Sequence, residues 1–247
     1  MLVSFGMVPV GRVARGRRAG ETALFLNVEE GPLSLRDRRG PLWLTPVLIV
    51  SVPRRWVGPM LRAGIGPSLT AGMCCRDCSG ELRSWGSYRR RVRVGRGRFW
   101  LLVRRARCRE CERTHALLPG FLLGRRLDAV DAIGCALGMA AEGRGYRPVA
   151  AALGRAVSTV RGWLRRFRLR ADLLRGWFVG LAVEMAEPPA RAPPGVSLSS
   201  LGLLVRVIAD AFLAARLRLG PGAVTGGVWA FCSAATSGGL LANTSGL

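Results

Sequence analysis

The sequence predicts an α+β protein: a small zinc ribbon, built as a β-hairpin on two Cys knuckles, followed by a three-helix helix-turn-helix domain, with poorly defined segments on both flanks. Three observations predict it. Cys75/Cys78 and Cys108/Cys111 are two Cys-x2-Cys pairs, the spacing at which four thiolates close a tetrahedral Zn2+ site. Glu81 to Arg107, between the pairs, is rich in Trp, Val and Arg and is broken by Gly95-Arg96-Gly97, the pattern of strand, turn and returning strand. Beyond it, apolar residues recur at steps of three and four over short runs, the period of amphipathic helices.

Composition bounds the partners. At 247 residues and 49% hydrophobic, the chain can bury a core in one large domain or two to three small ones. Its net charge of +23 comes from 38 basic residues, all of them Arg. A GC-rich coding bias accounts for Arg in place of Lys but not for the size of the excess. Such a charge attracts polyanions, nucleic acid first and an anionic membrane surface second. Between Ala71 and Arg170 there are 23 Arg against 7 Asp and Glu, so most of the surplus lies on the ribbon and the helices. Seven Cys, four at metal spacing, point to a reducing cytosol rather than a disulfide scaffold. Basic residues follow the apolar Met1 to Val10 instead of preceding it, which is the reverse of a signal peptide. Pro41 to Val52 is too short to span a bilayer, and Leu201 to Leu217 is interrupted by Arg206, Asp210 and Arg216. The expected setting is the cytoplasm, associated with the nucleoid and not with a membrane.

In chain order, residues 1–70 show no sustained period and are expected to be a poorly ordered leader, or an accessory segment whose Pro41 to Val52 run packs on the next domain. The ribbon is expected over 71–120. Either Cys74 or Cys75 could supply its first ligand; Cys75 gives the better knuckle and leaves Cys74 spare. His115, the one histidine, is expected beside the site, ligating only if one thiol goes unused. The hairpin carries Arg89, Arg90, Arg91 and Arg93 on its first arm, interleaved with Trp85, Tyr88, Phe99 and Trp100. The charges could be merely solvated. So many like charges on one hairpin repel, however, unless phosphates accept them.

The helix-turn-helix domain is expected over 121–175. Leu127, Val130, Ile133, Leu137 and Ala141 stripe a first helix that ends near Gly143, and Pro148 to Leu153 forms a second, with Gly154 as the turn. Ser158 is the expected N-cap of a third helix reaching about Arg170, with Val160, Trp163, Leu164 and Phe167 buried and Arg161, Arg165 and Arg168 opposite. Short helices joined by a Gly turn match the arrangement whose last helix enters the DNA major groove, although an ordinary Arg-coated bundle would share the pattern. Arg147, Ser158 and Thr159 are candidate DNA contacts at the two helix starts. Over 176–247, Leu173 to Met185 should continue as helix, Pro188 to Pro194 reads as a linker, Leu201 to Leu217 as a helix, and the tail from Gly220 is unassigned.

The order of ribbon and helices, with Cys108-Arg-Glu-Cys111-Glu-Arg-Thr-His-Ala-Leu-Leu-Pro119, Arg125-Arg126-Leu127-Asp128 and the Thr-Val-Arg-Gly-Trp string at 159–163, resembles a family of actinobacterial proteins related to insertion-sequence transposases. The resemblance covers roughly Cys75 to Arg170. It implies DNA binding at element ends and structural Zn2+ on Cys75, Cys78, Cys108 and Cys111. Strand transfer is not implied, because that chemistry needs three carboxylates around two metal ions. Only 15 acids are present, and 37 residues follow Asp210.

The expected function is therefore a zinc-stabilised binder of double-stranded DNA, either a transcriptional regulator or a transposase-like module without catalysis. It could act as a homodimer or beside a separate catalytic transposase subunit. Arg161 and Arg165 would face base edges, while Ser158, Thr159, Arg168 and the hairpin arginines would hold phosphates. Two alternatives stand beside it. One is a nuclease or recombinase whose carboxylates, among them Asp128, Asp131 and Asp210, would have to gather in one cleft. The other is an RNA-binding or interaction ribbon, since Arg with aromatics also suits single strands.

Overall fold

Two strands occupy the Arg-rich stretch between the Cys pairs. β2 (Leu82–Val94) and β3 (Gly97–Cys108) run antiparallel, with Val94 opposite Gly97 at the tip and Leu82 opposite Cys108 at the base. Gly95 supplies the positive φ of +57° that so short a turn requires. The register steps between Ser84 and Gly86, which leaves Trp85 as the extra residue of a bulge. β4 (Thr114–Pro119) adds antiparallel to β3, completing a small three-stranded antiparallel sheet. β1 (Val47–Val50) joins its far edge parallel to β4, giving the order β1-β4-β3-β2.

This is a computed structural model, and the residues it describes are 47–50, 54–64, 73–185 and 199–242. The expected Pro188 to Pro194 linker lies outside them, as does most of the leader. Within 1–70 the structure has β1 and α1 (Arg54–Ala63), which no sustained period announced. Strand β1 falls inside the Pro41 to Val52 run, and over Val47–Val50 that run pairs with the edge of the sheet.

Both faces of the sheet carry buried residues, but the second is covered only near the Cys loops. On one side Val92, Leu101, Val103, Ala116 and Leu118 are buried beneath Leu61 of α1, Phe121 and Leu122. On the other, near the knuckles, Met73, Leu82, Ala106 and Leu117 pack around Cys75 and Cys108. Six further helices follow among the described residues: α2 (Val130–Ala141), α3 (Tyr146–Leu153), α4 (Val157–Leu169), α5 (Ala171–Met185), α6 (Ser200–Leu219) and α7 (Val228–Ala235). One hydrophobic cluster joins all six, so the helical core continues well past residue 175.

The stripe expected for the third helix is the buried one: Val160, Trp163, Leu164 and Phe167 of α4 point into this core. Two expectations about helix starts need correction. Leu127 lies before α2, because the backbone there is drawn onto the hairpin: the Arg93 N–H donates to the Leu127 carbonyl (2.8 Å) and the Ala129 N–H to that of Arg93 (2.9 Å). Ser158 is not the N-cap of α4. Gly154 ends α3 in the left-handed conformation, Ala156 is the extended cap residue, and the helix has already begun at Val157.

The unassigned tail is part of the core. Phe231 of α7 lies 5.7 Å from Phe212 and 6.4 Å from Phe178 between ring centroids, and the Ser233 hydroxyl donates to the buried Leu122 carbonyl at 3.0 Å. Arg126 reaches across to donate to the Leu241 carbonyl at 2.7 Å.

Candidate metal centre and basic surface

The hairpin register sets the base of the site. Because Leu82 pairs with Cys108, the two Cys-x2-Cys loops face each other at one end of the sheet. The four Sγ atoms of Cys75, Cys78, Cys108 and Cys111 lie within 4.8 Å of one another, a cluster able to hold a metal ion. The Cys75–Cys111 and Cys78–Cys108 separations are 3.5 and 3.4 Å, too long for disulfides. They are close to the ~3.8 Å edge of a tetrahedron of thiolates placed about 2.3 Å from a central ion.

The two loops repeat one backbone shape. In each, the N–H two residues after the first Cys donates to its sulfur: Asp77 to Cys75 and Glu110 to Cys108, both at 3.4 Å. In each, the residue after the second Cys has φ of +59°, Ser79 in one and Glu112 in the other. Gly80 is fixed by proximity, not by φ. A Cβ there would lie 2.4 Å from Glu110 Cγ and 3.0 Å from Cys108 Sγ.

The surroundings act differently on the individual thiols. Burial pushes the Cys75 thiol far up, and burial likewise raises Cys111. At Cys108 burial also works upward, but the N–H groups of Cys111 and Glu110 and the Cys78 side chain outweigh it and hold the thiol down at about 7. A cation supplies what the buried sulfurs lack when they ionise. His115 is fully buried with Nε2 3.2 Å from Cys75 Sγ, and burial lowers its pKa. Cys75, Asp77 and His115 form a second group of ligand atoms within 4.8 Å. Cys74, the alternative first ligand, is exposed and outside both groups.

The remaining candidate residues divide into those that face solvent and those that brace the fold. Arg161, Arg165 and Arg168 are exposed on α4 and, with Tyr146, Leu164 and Leu169, line an open cleft of ≈ 380 Å³. None of the three arginines is paired with an acid among the described residues. Arg147 and Ser158 are exposed, and Thr159 is half-buried. Arg89 and Arg91 face solvent on β2, with the Arg91 guanidinium 5.0 Å from the Trp100 ring centroid. Arg90 and Arg93 depart from the expectation that they hold phosphates. Arg90 donates to the carbonyls of Leu123 (2.7 Å) and Arg126. Arg93 pairs with Asp128 at 3.5 Å. Strand alternation explains Arg90, which points with Val92 into the packed face.

Sequence reasoning missed Arg155, whose Nε donates to Asp128 at 2.6 Å between the hairpin and the α3–α4 turn. Lone charges in a basic chain give no signal of burial. Among the described residues, no three carboxylates gather into a metal-holding group. No helix there is long and apolar enough to cross a membrane.

Compared with known proteins, residues 75–147 match a family described as Domain of unknown function (DUF6431). No curated protein and no solved structure matches the chain. The matched segment contains the four-Cys cluster, the whole hairpin, α2 and the start of α3.

Proposed function

We propose that this chain is a zinc-stabilised protein that binds double-stranded DNA through α4, acting as a transcriptional regulator or as a transposase-like module without its own catalytic domain. The observation that carries this reading is the exposed face of α4. Arg161, Arg165 and Arg168 stand there without acidic partners, while the opposite face is locked by Val160, Trp163, Leu164 and Phe167. Read as a helix-turn-helix, α3, the left-handed Gly154 turn and α4 present the last helix to the major groove. Zinc on Cys75, Cys78, Cys108 and Cys111 would be structural: four protein ligands leave no open position for substrate, and the ion would tie the base of the ribbon. Arg89 and Arg91 would then meet phosphates.

The test is a pair of variants on a preferred and a random duplex. Replacing Arg165 with Ala should weaken the preferred site by about tenfold more than random DNA, as loss of a base contact does. Replacing Arg89 and Arg91 with Ala should weaken both alike. If Arg165→Ala binds both duplexes as the wild type does, α4 is not the reading helix.

Exposed aromatics favour a second reading. Trp85 lies beneath the guanidiniums of Arg107 (4.7 Å) and Arg83 (5.9 Å), and Trp100 beneath Arg91; both indoles are about half exposed. Such surfaces stack unpaired bases. Binding of single-stranded RNA more tightly than duplex DNA would favour it.

A further inference from the structure

Asp128 is 3% exposed and holds two guanidiniums, Arg155 of the α3–α4 turn at 2.6 Å and Arg93 of the hairpin at 3.5 Å. The Arg155 side chain goes on to donate to the Gly95 carbonyl at the hairpin tip (2.6 Å) and to the carbonyls of Leu153 and Gly154 that close α3 (3.1 and 3.3 Å). Backbone bonds between Arg93, Leu127 and Ala129 secure the same junction. A buried ion pair of this kind contributes little net stability compared with an apolar replacement, because desolvation offsets the attraction. It does fix a geometry. Here it holds the tip of the hairpin one hydrogen bond from a residue two positions before α4 begins.

That placement has an electrostatic consequence. Arg93 and Arg98 are directly opposite across the strands, and like charges so placed repel. Asp128 offsets one of the two charges it holds, on Arg93 and Arg155, whereas Arg98 and, in the turn, Arg96 are exposed with no acid beside them among the described residues. An element fixed at the start of a helix lying in the major groove meets the phosphate backbone that flanks the groove. We propose that the hairpin tip, through Arg96 and Arg98, is a second contact for duplex DNA, latched by Asp128 to α4 so that both grip one continuous stretch. This rests on the reading of α4 as a DNA-binding helix. Asp128 is a positioning residue in it and touches no DNA.

The experiment uses the full chain and fluorescence anisotropy on two random-sequence duplexes, one of about one helical turn and one of about two, across a salt series. On the longer duplex, Arg96→Ala with Arg98→Ala should lower affinity about tenfold or more and reduce the salt slope by about 2, near 0.9 for each lost phosphate contact. On the shorter duplex, which still carries the phosphates flanking the one groove, a loss of similar size is expected. Asp128→Asn removes a negative charge from a chain of net charge +23, so net charge alone would tighten binding. The latch predicts the reverse: binding to the longer duplex falls to the level of the tip variant, with no further loss when the substitutions are combined. Wild-type affinity in the tip variant, or tighter binding by a folded Asp128→Asn, overturns the proposal. If Asp128→Asn fails to fold, as judged by circular dichroism, the exposed tip arginines still decide. Absence of salt-dependent duplex binding by the wild type overturns the α4 reading and this proposal with it, whereas normal binding with a neutral tip overturns this one alone.

Discussion

Gly80→Ala probes how closely the two Cys loops are pressed together. A Cβ at position 80 falls 2.4 Å from Glu110 Cγ, 3.0 Å from Glu110 Cβ and 3.0 Å from Cys108 Sγ. Glu110 is exposed and can swing its Cγ away, but its Cβ is fixed to the backbone and Cys108 Sγ belongs to the site. The loops must therefore separate by a few tenths of an ångström, more than the roughly 0.2 Å within which ligand distances are held. Displacements of groups around a metal cost about 10–100-fold in affinity, or roughly 1.4–2.7 kcal/mol. Competition against a chromophoric chelator measures this directly. Ser79→Gly is the control, since it relieves a φ of +59° next door and should stabilise the loop by about 1 kcal/mol without weakening the metal. Wild-type metal affinity in Gly80→Ala would refute the close approach.

Three further outcomes follow from the same packing. Gly134→Ala would ordinarily favour a helix by about 0.5–1 kcal/mol, yet its Cβ meets three atoms of the Trp229 ring at 2.2 Å, so denaturant unfolding should show a loss of about 1–3 kcal/mol that Trp229→Ala relieves. Arg90→Ala leaves the Leu123 and Arg126 carbonyls without their donor, so it should lower stability by about 1–3 kcal/mol while leaving the salt slope of DNA binding unchanged. The pH dependence has a definite sign. His115 is depressed by burial, so below its unfolded value of about 6.5 the unfolded chain takes up a proton that the folded one refuses, and stability falls as pH drops; His115→Gln should flatten that limb of a melting-temperature profile.

The parts of this molecule legible in sequence are those with a short-range rule. Cys-x2-Cys spacing, the Gly95 turn and the Val160, Trp163, Leu164, Phe167 stripe each follow from local geometry, and the structure has a Cys cluster, a hairpin and a buried stripe at those residues. What was hidden depends on partners distant in sequence. Arg90 and Arg89 are identical residues side by side, and only strand alternation against a covered face sends one to backbone carbonyls and leaves the other in solvent. Asp128 looked like one of several scattered acids until Arg155 and Arg93 closed on it. The tail gave no period because α7 is short and buries Phe231 and Cys232 among α2, α5 and α6, where an amphipathic pattern has no solvent side to record.

The central claim, that a metal-clamped basic chain binds DNA, is tested most directly by equilibrium binding of the full protein to duplex DNA over about 50–200 mM salt, with and without prior chelation. The account predicts an affinity that falls linearly on a log–log plot, with a slope near 0.9 per phosphate contacted, and that is lost with the metal. An affinity insensitive to salt, or binding and folding unchanged after chelation, would contradict it.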